Sequence, residues 1–448
     1  MITLRNQWIA ASALALAIFV SNSAATLALE AGKPIPQPTV EGLKVVPDSA
    51  RLDLTLPKFS NPTKITNPFF PVSNQESVLL VGKVDGKPFR TEVTLLPYTR
   101  IVKWEGVEIE AAVSQYVAYL DGRIEEIAMD LYAQADDGSV WYLGEDVSDF
   151  KDGLIVTKEG TWTAGIEGPP AMIMPANPQV GNVYRTENWP GVAFEEVSIA
   201  SVGQQFDGPL GPITGGIVGK ELHMDGATVD KKFAPGYGEF YTGDADGNVE
   251  ALALAVPANR ASGAMPQELQ QLTSGALDTF RSAGSKDWKA AAVAMESTTE
   301  AWSRVKETEV PKLLKPVLEG AIKNLATAVV RRNVTMTQNA AIEMTRWSYD
   351  LQLRYRPATQ IDLARLDLWA AQLQLDAAAG KAGAVKGDTF TMLLVKDRFI
   401  RSLDSAEALK INLLFGDLQP VAAGEELDAA AETAGKLREV IATLKPKN

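Results

Sequence analysis

The pattern of apolar and polar positions changes once along the chain, near residue 260. From about 67 to 257, short apolar or alternating runs such as ESVLLVGKV (76–84) and FRTEVTLLP (89–97) are separated by turn residues, which is typical of half-buried strands. From about 264 onward, glycine and proline become rarer, and Ala, Leu, Gln, Lys and Glu dominate, which favours helices. The sequence therefore predicts an α+β protein in which an antiparallel β domain precedes an all-α helical bundle.

Asp-Gly pairs recur along the β region, and we assign six of them to turns between predicted strands. Asp-Gly favours tight hairpin turns, because both turn positions need a positive φ. Strands joined in this way are antiparallel, and we expect about eight to ten of them in a curved sheet or partly open barrel. The six pairs are Asp85-Gly86, Asp121-Gly122, Asp137-Gly138, Asp152-Gly153, Asp225-Gly226 and Asp246-Gly247.

These patterns divide the chain into five parts. They are a signal peptide (1–28), a proline-rich arm or linker (29–66), the β domain (67–257), a linker (258–265) and the helical bundle (266–448). Within the bundle, we predict helices near 266–283, 285–308, 311–331, 334–356, 359–379, 386–403, 405–416 and 424–443.

The N-terminus has the features of a secretory signal peptide. Arg5 precedes an uncharged apolar run, WIAASALALAIFV (8–20), and small residues suited to cleavage follow it up to Ala28. The alternative is an uncleaved anchor helix, but the run is shorter than the roughly 18 residues that span a bilayer. We expect a cleaved signal, no membrane span in the mature chain, and a periplasmic or extracellular location.

Two rare residue types restrict the chemistry of the protein. The chain has no cysteine and a single histidine, His223. Disulfides, thiolate nucleophiles, Cys-based zinc sites, HExxH metal sites and di-iron bundles are thereby excluded. Carboxylate, hydroxyl, lysine and arginine chemistry remains, together with oxygen-ligated ions. His223 precedes the Asp225-Gly226 turn, and we interpret it as a hairpin residue rather than a catalytic base.

The negative charge is concentrated in the β region. The whole chain carries a net charge of −13, and residues 101–150 alone carry −10. Such a charge disfavours nucleic acid as a partner and favours divalent cations or basic partners. A solvated acidic face without a ligand is the alternative.

The stretch ADDGSVWYLGED (135–146) contains the first candidate site. Residues 136–138 should form a hairpin turn, and an apolar strand and two carboxylates follow it. Three interpretations remain open: an oxygen-ligated Ca²⁺ site, a sugar site with Trp141 as a stacking platform, or a hairpin with solvated acids. The candidate metal ligands are Asp136, Asp137, Glu145, Asp146 and Asp149.

The second candidate site lies on the predicted helix over 361–378. This segment is apolar on two sides, which is typical of a central helix in a bundle. The polar ribbon between its apolar stripes would be partly buried, where charges must be paired. Two interpretations remain open: a pocket for an anionic or zwitterionic ligand, and a structural ion-pair network. The residues concerned, on this helix and at the end of the preceding one, are Asp350, Arg354, Asp362, Arg365, Gln372 and Asp376.

Four motifs distributed along the chain are NPFFPV (67–72), DGSVWYLGED (137–146), FAPGYGEF (233–240) and IDLARLDLW (361–369). Together they resemble a group of exported bacterial proteins of uncharacterised activity, and the resemblance covers most of the chain after the signal. Some members of that group pair such a β-rich N-terminal region with a helical C-terminal region. The resemblance implies export and the two-part layout, and it implies no activity.

These observations lead to three functional hypotheses. The first is an exported, non-enzymatic binding protein whose acidic β domain binds a divalent cation such as Ca²⁺ or a small ligand, while the helical domain offers an interaction surface. The second is a carboxylate-based hydrolase of glycosides or esters with Glu145 and Asp146 near its cleft. The third is a cell-envelope scaffold whose surfaces bind only protein.

Overall fold

The structure, a computed structural model, describes residues 33–444 and has the predicted α+β architecture. An antiparallel sheet occupies the N-terminal part of this range and helices occupy the remainder. The predicted signal peptide, residues 1–28, lies outside the described residues. None of the helices found within 33–444 has both the length and the apolar character that crossing a bilayer requires.

The strands follow the arm and the predicted β domain. In chain order they are β1 (Lys33–Pro34), β2 (Thr55–Leu56), β3 (Ser77–Val84), β4 (Lys87–Trp104), β5 (Val107–Leu120), β6 (Arg123–Gln134), β7 (Val140–Lys151), β8 (Leu154–Thr157), β9 (Trp162–Thr163), β10 (Ala171–Met174), β11 (Val183–Trp189), β12 (Ala193–Asp207), β13 (Pro212–His223), β14 (Thr228–Ala234), β15 (Gly238–Gly243) and β16 (Val249–Val256).

Fourteen of the described strands form one antiparallel sheet. Its order is β10-β7-β6-β5-β4-β3-β16-β15-β14-β13-β12-β11, and β8 and β9 also pair with β7. Two meanders, β3–β7 and β11–β16, are thus joined where β16 pairs with β3. The edge strands β10 and β11 lie close together but are not paired, so the sheet is not closed into a barrel.

The expected number of eight to ten strands is too low. The missed strands are short, such as β8 and β9, or lie in the segment 183–234, where glycine and charged residues obscure the alternation. The predicted turns are confirmed. All six Asp-Gly pairs connect adjacent strands of the sheet, and Asp85, Asp121 and Asp152 adopt positive φ angles of 52°, 50° and 54°.

The arm packs against the sheet within the part that the structure describes. β1 pairs with β2, and the side chains of Leu56 and Ile65 are fully buried in the core of the sheet domain. Asn67 then fixes the start of the sheet domain. Its amide nitrogen donates to the carbonyl oxygens of Gly138 (2.9 Å) and Pro175 (3.0 Å), and its Oδ1 accepts from the Phe69 N–H (2.9 Å).

Each predicted helix is present among the described residues, although α6 begins and ends four residues earlier than predicted and α7 ends seven residues later. They are α1 (Gln267–Gly284), α2 (Trp288–Val305), α3 (Leu314–Val330), α4 (Val334–Gln352), α5 (Ala358–Ala378), α6 (Ala382–Phe399), α7 (Ser405–Ala423) and α8 (Leu427–Ile441). The sheet ends at Val256 and α1 begins at Gln267, so the connection contains the predicted linker.

The helices cover one face of the sheet, and the other face forms an interior. On β5, Val117 and Tyr119 pack against the helical core, where Tyr119 stacks on Trp369 of α5 at 5.7 Å between ring centroids. Tyr116 and Leu120 lie on the other face, because successive strand residues alternate. Helix α6 contacts β4, β6 and β8.

Candidate binding chamber

A large cavity lies between the interior face of the sheet and α6. Its volume is about 1330 Å³, and its walls come from strands β3–β8 and β12–β16 together with the first turns of α6. Residues of several hairpin turns, including Asp121 and Asp152, line it at one end of the sheet. We call this cavity the acidic chamber.

The lining of the acidic chamber contains more acidic than basic side chains. Ten Asp and Glu side chains line it against five Lys and Arg side chains, so the lining reaches a net charge of −5 only when every carboxyl group is ionised and His223 is neutral. The acidic residues are Asp121, Glu125, Glu126, Asp149, Asp152, Glu195, Glu221, Asp244, Glu250 and Asp388. A concave, low-dielectric surface of one sign concentrates the field and attracts ions of the opposite sign.

Apolar side chains form another part of the lining. Strands β4–β7 contribute Phe89, Tyr116, Leu120, Ile124 and Phe150 to the chamber. Strands β12–β14 and β16 contribute the ionisable side chains Glu195, Glu221, His223, Lys231 and Glu250. The chamber therefore combines apolar and acidic surface, as ligand pockets with a few charged anchors do.

Burial changes the acidity of the carboxyl groups that line the chamber. Burial raises the pKa of Glu126 to about 8, and the negative charge of Asp149 adds to the effect. Burial likewise raises the pKa of Glu250 to about 7, and that of Asp149 to about 6. These groups lose their protons near neutral pH, where a bound cation stabilises their ionised forms.

The single histidine lies between two carboxylates on the chamber wall. His223 Nδ1 is 3.1 Å from Glu195 Oε1, and His223 Nε2 is 3.3 Å from Glu221 Oε1. The strands explain this placement. Glu221 and His223 share a face of β13 at positions i and i+2, and Glu195 of β12 is the cross-strand partner of His223.

Burial alone would lower the pKa of His223, but Glu195 and Glu221 outweigh burial and raise it to about 9. The pKa values of the two carboxyl groups, Glu195 and Glu221, are shifted in opposite directions. Burial opposes ionisation of Glu195, but His223 and Lys231 lower its pKa to about 2. Burial and the charge of Glu195 raise the pKa of Glu221 to about 7. Glu195 therefore holds the negative charge that faces the imidazole.

The predicted calcium ligands do not meet at one point. Asp136 accepts hydrogen bonds from the Ser60 backbone N–H and hydroxyl, both at 2.7 Å, and Asp137 caps its own turn through Ser139. The hydrogen bonds of Asp136 and Asp137 therefore lie within or next to the hairpin turn, which agrees with the interpretation of this stretch as a hairpin without a ligand.

The remaining predicted ligands are on opposite faces of β7. Glu145 points into the sheet interior, whereas Asp146 is half exposed and pairs with Arg100. Asp149 lines the acidic chamber. A calcium site made of all five predicted carboxylates is thus not formed. The proposed hydrolase pair, Glu145 and Asp146, likewise cannot face one substrate together.

Glu145 belongs to a buried polar group beneath the chamber. It pairs across the strands with Asp130, which accepts a hydrogen bond from the Tyr142 hydroxyl at 2.7 Å. Burial raises the pKa of Glu145 to about 8 and that of Asp130 to about 7. Trp141 lies nearby with only 1% of its surface exposed, so it offers no ring face to a sugar.

Three residues of the second predicted site form a buried ion-pair network. Arg365 Nη2 donates to Asp350 Oδ1 at 2.7 Å, and Arg365 Nη1 donates to Asp362 Oδ1 at 2.9 Å. Arg90 of β4 approaches from the sheet, where its Nη2 donates to Asp350 Oδ1 at 2.9 Å and to Glu92 Oε1 at 2.6 Å. These contacts agree with the interpretation of the polar ribbon on α5 as a structural ion-pair network.

Arg398 of α6 completes the network. It pairs with Glu92, and its Nε donates to Gln115 Oε1 of β5 at 2.6 Å. Three arginines thereby face three carboxylates, and none of the six side chains is more than 7% exposed. The network joins the sheet to α4, α5 and α6, and we call it the interdomain network.

The other three residues of that predicted site lie elsewhere. Arg354 Nε donates to the Asn259 carbonyl oxygen at 3.0 Å. Gln372 Nε2 donates to Asp376 Oδ2 at 2.9 Å, and Asp376 pairs with Arg123 at 2.6 Å. Since Arg123 lines the acidic chamber, Asp376 contacts the chamber wall through this arginine.

Of the predicted site residues, Asp149 lines the chamber, but sequence reasoning missed other residues of its wall, including Glu195, Glu221 and Lys231. The spacing of Glu221 and His223 was the one local signal, because it places both on one face of a strand. No protein-family model matches the sequence, and no curated protein matches it.

Proposed function

We propose that this protein is an exported binding protein whose acidic chamber takes an organic cation that also has an apolar portion. The observation that carries the proposal is the composition of the chamber lining, in which ten carboxyl groups outnumber five basic side chains beside a row of aromatic and aliphatic side chains. A cation would be held by ionised carboxylates, and its apolar portion would bury surface against Phe89 and Phe150.

The size of the chamber supports a ligand rather than a single ion. Ligand pockets commonly have volumes of roughly 300–1,000 Å³, so a cavity of about 1330 Å³ has room for a small molecule and several waters. Helix α6 supplies part of the wall through Gly383, Ala384, Gly387 and Asp388. The helical half thus contributes to the site in addition to covering the sheet.

The test uses probes that share a chain length and differ in charge. Decyltrimethylammonium, decyl sulfate and tetramethylammonium would be titrated calorimetrically at pH 8, each below its micelle concentration. We expect decyltrimethylammonium to bind, decyl sulfate not to bind, and tetramethylammonium to bind at least tenfold more weakly because it lacks the apolar chain.

A double substitution locates the binding in the chamber. Glu126→Gln with Glu250→Gln removes two lining carboxylates and should weaken decyltrimethylammonium binding at least tenfold. Glu110→Gln is the control, because Glu110 is exposed on β5 and pairs with Thr99. Equal binding of the two decyl probes, or unchanged binding in the double variant, would overturn the proposal.

A further inference from the structure

We infer that His223 and Glu221 are the ligands of a divalent first-row transition metal at one wall of the chamber, and that Glu195 positions the imidazole. The potential ligand atoms of these three residues all lie within 4.8 Å of one another, and they form the one such group of His, Asp and Glu within residues 33–444. This inference does not depend on the organic ligand proposed above.

Two unpartnered atoms face each other at this site. Neither His223 Nε2 nor Glu221 Oε1 makes a hydrogen bond, although both atoms are buried and the Glu221 side chain is only 2% exposed. A buried polar atom without a partner is costly, and native proteins satisfy nearly all such atoms. A metal ion between the two atoms would satisfy both at once.

The distance between these atoms fits a metal ion. Zinc lies about 2.0–2.1 Å from a histidine nitrogen and 2.0–2.2 Å from a carboxylate oxygen, so a tetrahedral angle places the nitrogen and oxygen about 3.3–3.5 Å apart. His223 Nε2 and Glu221 Oε1 are 3.3 Å apart. The two side chains therefore need no rearrangement to bind the metal.

Glu195 occupies the position of a supporting carboxylate. It lies 3.1 Å from His223 Nδ1, and its other oxygen accepts from the Thr186 hydroxyl at 3.1 Å. Metal-binding histidines almost always donate their second N–H to such a group, which fixes the tautomer and leaves the other nitrogen free for the metal. Here the nitrogen left for the metal is Nε2, which faces Glu221, and a bound metal would displace the proton that Nε2 carries in the imidazolium form.

The surrounding charge accommodates a dication despite one nearby lysine. Lys231 Nζ lies 3.5 Å from both Glu221 Oε1 and Glu239 Oε1. Glu195 and Glu250 also act on this lysine, so four carboxylates surround one ammonium group. An imidazole ligand favours zinc and its neighbours over calcium and magnesium, which prefer sites made of oxygen alone. The remaining coordination positions face the chamber.

The experiment uses the fact that the chain has a single histidine. Protein without a histidine tag, labelled with [¹⁵N]histidine and freed of metal, would be titrated with ZnCl₂. We expect one equivalent of Zn²⁺ to shift the Nε2 signal of the one imidazole, and a large excess of CaCl₂ not to reverse the shift. Unchanged imidazole signals, with or without zinc binding elsewhere, overturn the inference.

Calorimetric titration of variants with ZnCl₂ separates the roles. His223→Gln and Glu221→Gln should each weaken binding by about a hundredfold or more, and Glu195→Gln by about 10–100-fold because it acts through the ring. Asp230→Asn is the matched control, since Asp230 pairs with Lys220 on the exposed face of the same hairpin. Melting curves would verify folding. Equal affinities across all four variants would contradict the assignment.

Discussion

Removal of one charge from the interdomain network should destabilise the protein strongly. Asp350 is fully buried and accepts hydrogen bonds from both Arg90 and Arg365. The substitution Asp350→Asn keeps the shape of the side chain but leaves three guanidinium groups facing only two carboxylates. Loss of one partner from a buried ion pair costs about 3–5 kcal/mol, because the remaining charge stays buried without compensation.

The assay is urea-induced unfolding followed by tryptophan fluorescence. The network includes a natural reporter, because the Arg90 guanidinium lies 4.8 Å from the ring centroid of Trp347. We expect the free energy of unfolding to fall by about 3–5 kcal/mol in Asp350→Asn. The matched control is Asp278→Asn, which breaks an exposed pair with Arg281 on α1 and should cost less than about 1 kcal/mol.

A second variant separates charge from packing. In Asp350→Leu with Arg365→Met, apolar groups replace one carboxylate and one arginine, so the charges balance again. Apolar replacement of a buried ion pair is often neutral or stabilising, and we expect this variant to recover most of the lost stability. If Asp350→Asn were no less stable than Asp278→Asn, the argument that these charges depend on one another would be refuted.

Three further predictions concern the β domain. Gly144→Ala should lower the free energy of unfolding by more than about 2 kcal/mol, because the φ of Gly144 is +135° and an added Cβ would lie 2.4 Å from a backbone oxygen. The control Gly320→Ala, in open space on α3, should raise the free energy of unfolding by about 0.5–1 kcal/mol. Equal urea midpoints of the two variants would contradict this prediction. Asn67→Ala removes three hydrogen bonds and should lower the free energy of unfolding by about 2–3 kcal/mol in the same assay. A loss no larger than that of the exposed Asp278→Asn control would count against this prediction. Burial raises the pKa of Glu126 in the folded state to about 8, so the folded state binds more protons than the unfolded state, and the stability should fall as the pH rises from about 4.5 to 8. Glu126→Gln should make the melting temperature depend less steeply on pH over this range. Parallel plots of melting temperature against pH for the variant and the unaltered protein would disprove this.

Structural features that are determined by residues close together in the sequence were predictable. The Asp-Gly turns, the start of α4 and both ends of α5 follow from local conformational preferences, and the structure has them within one residue of where they were expected. The buried ribbon on α5 was also foreseen, because its charges lie between two apolar stripes. Its partners Arg90 and Glu92 were not, since they come from a strand that is distant in the sequence.

The chamber could not be predicted because it depends on strand register. Glu195 meets His223 only because β12 and β13 pair with these residues opposite each other, and a shift of one residue would place them on different faces. The acidic stretch 135–146 was misleading for the same reason. Its carboxylates are consecutive or nearly so along a strand, and alternation sends Glu145 and Asp146 in opposite directions.

The pairing of β16 with β3 has a consequence for the order in which the chain folds. Lys83 pairs with Val249, so one edge of β3 stays unpaired until nearly all of the sheet domain has been synthesised, although β4 pairs with the other edge at once. Contacts between such distant segments form slowly, and an unpaired strand edge is a template for association with other chains. The free edge of β3 is therefore exposed to such association until β16 covers it.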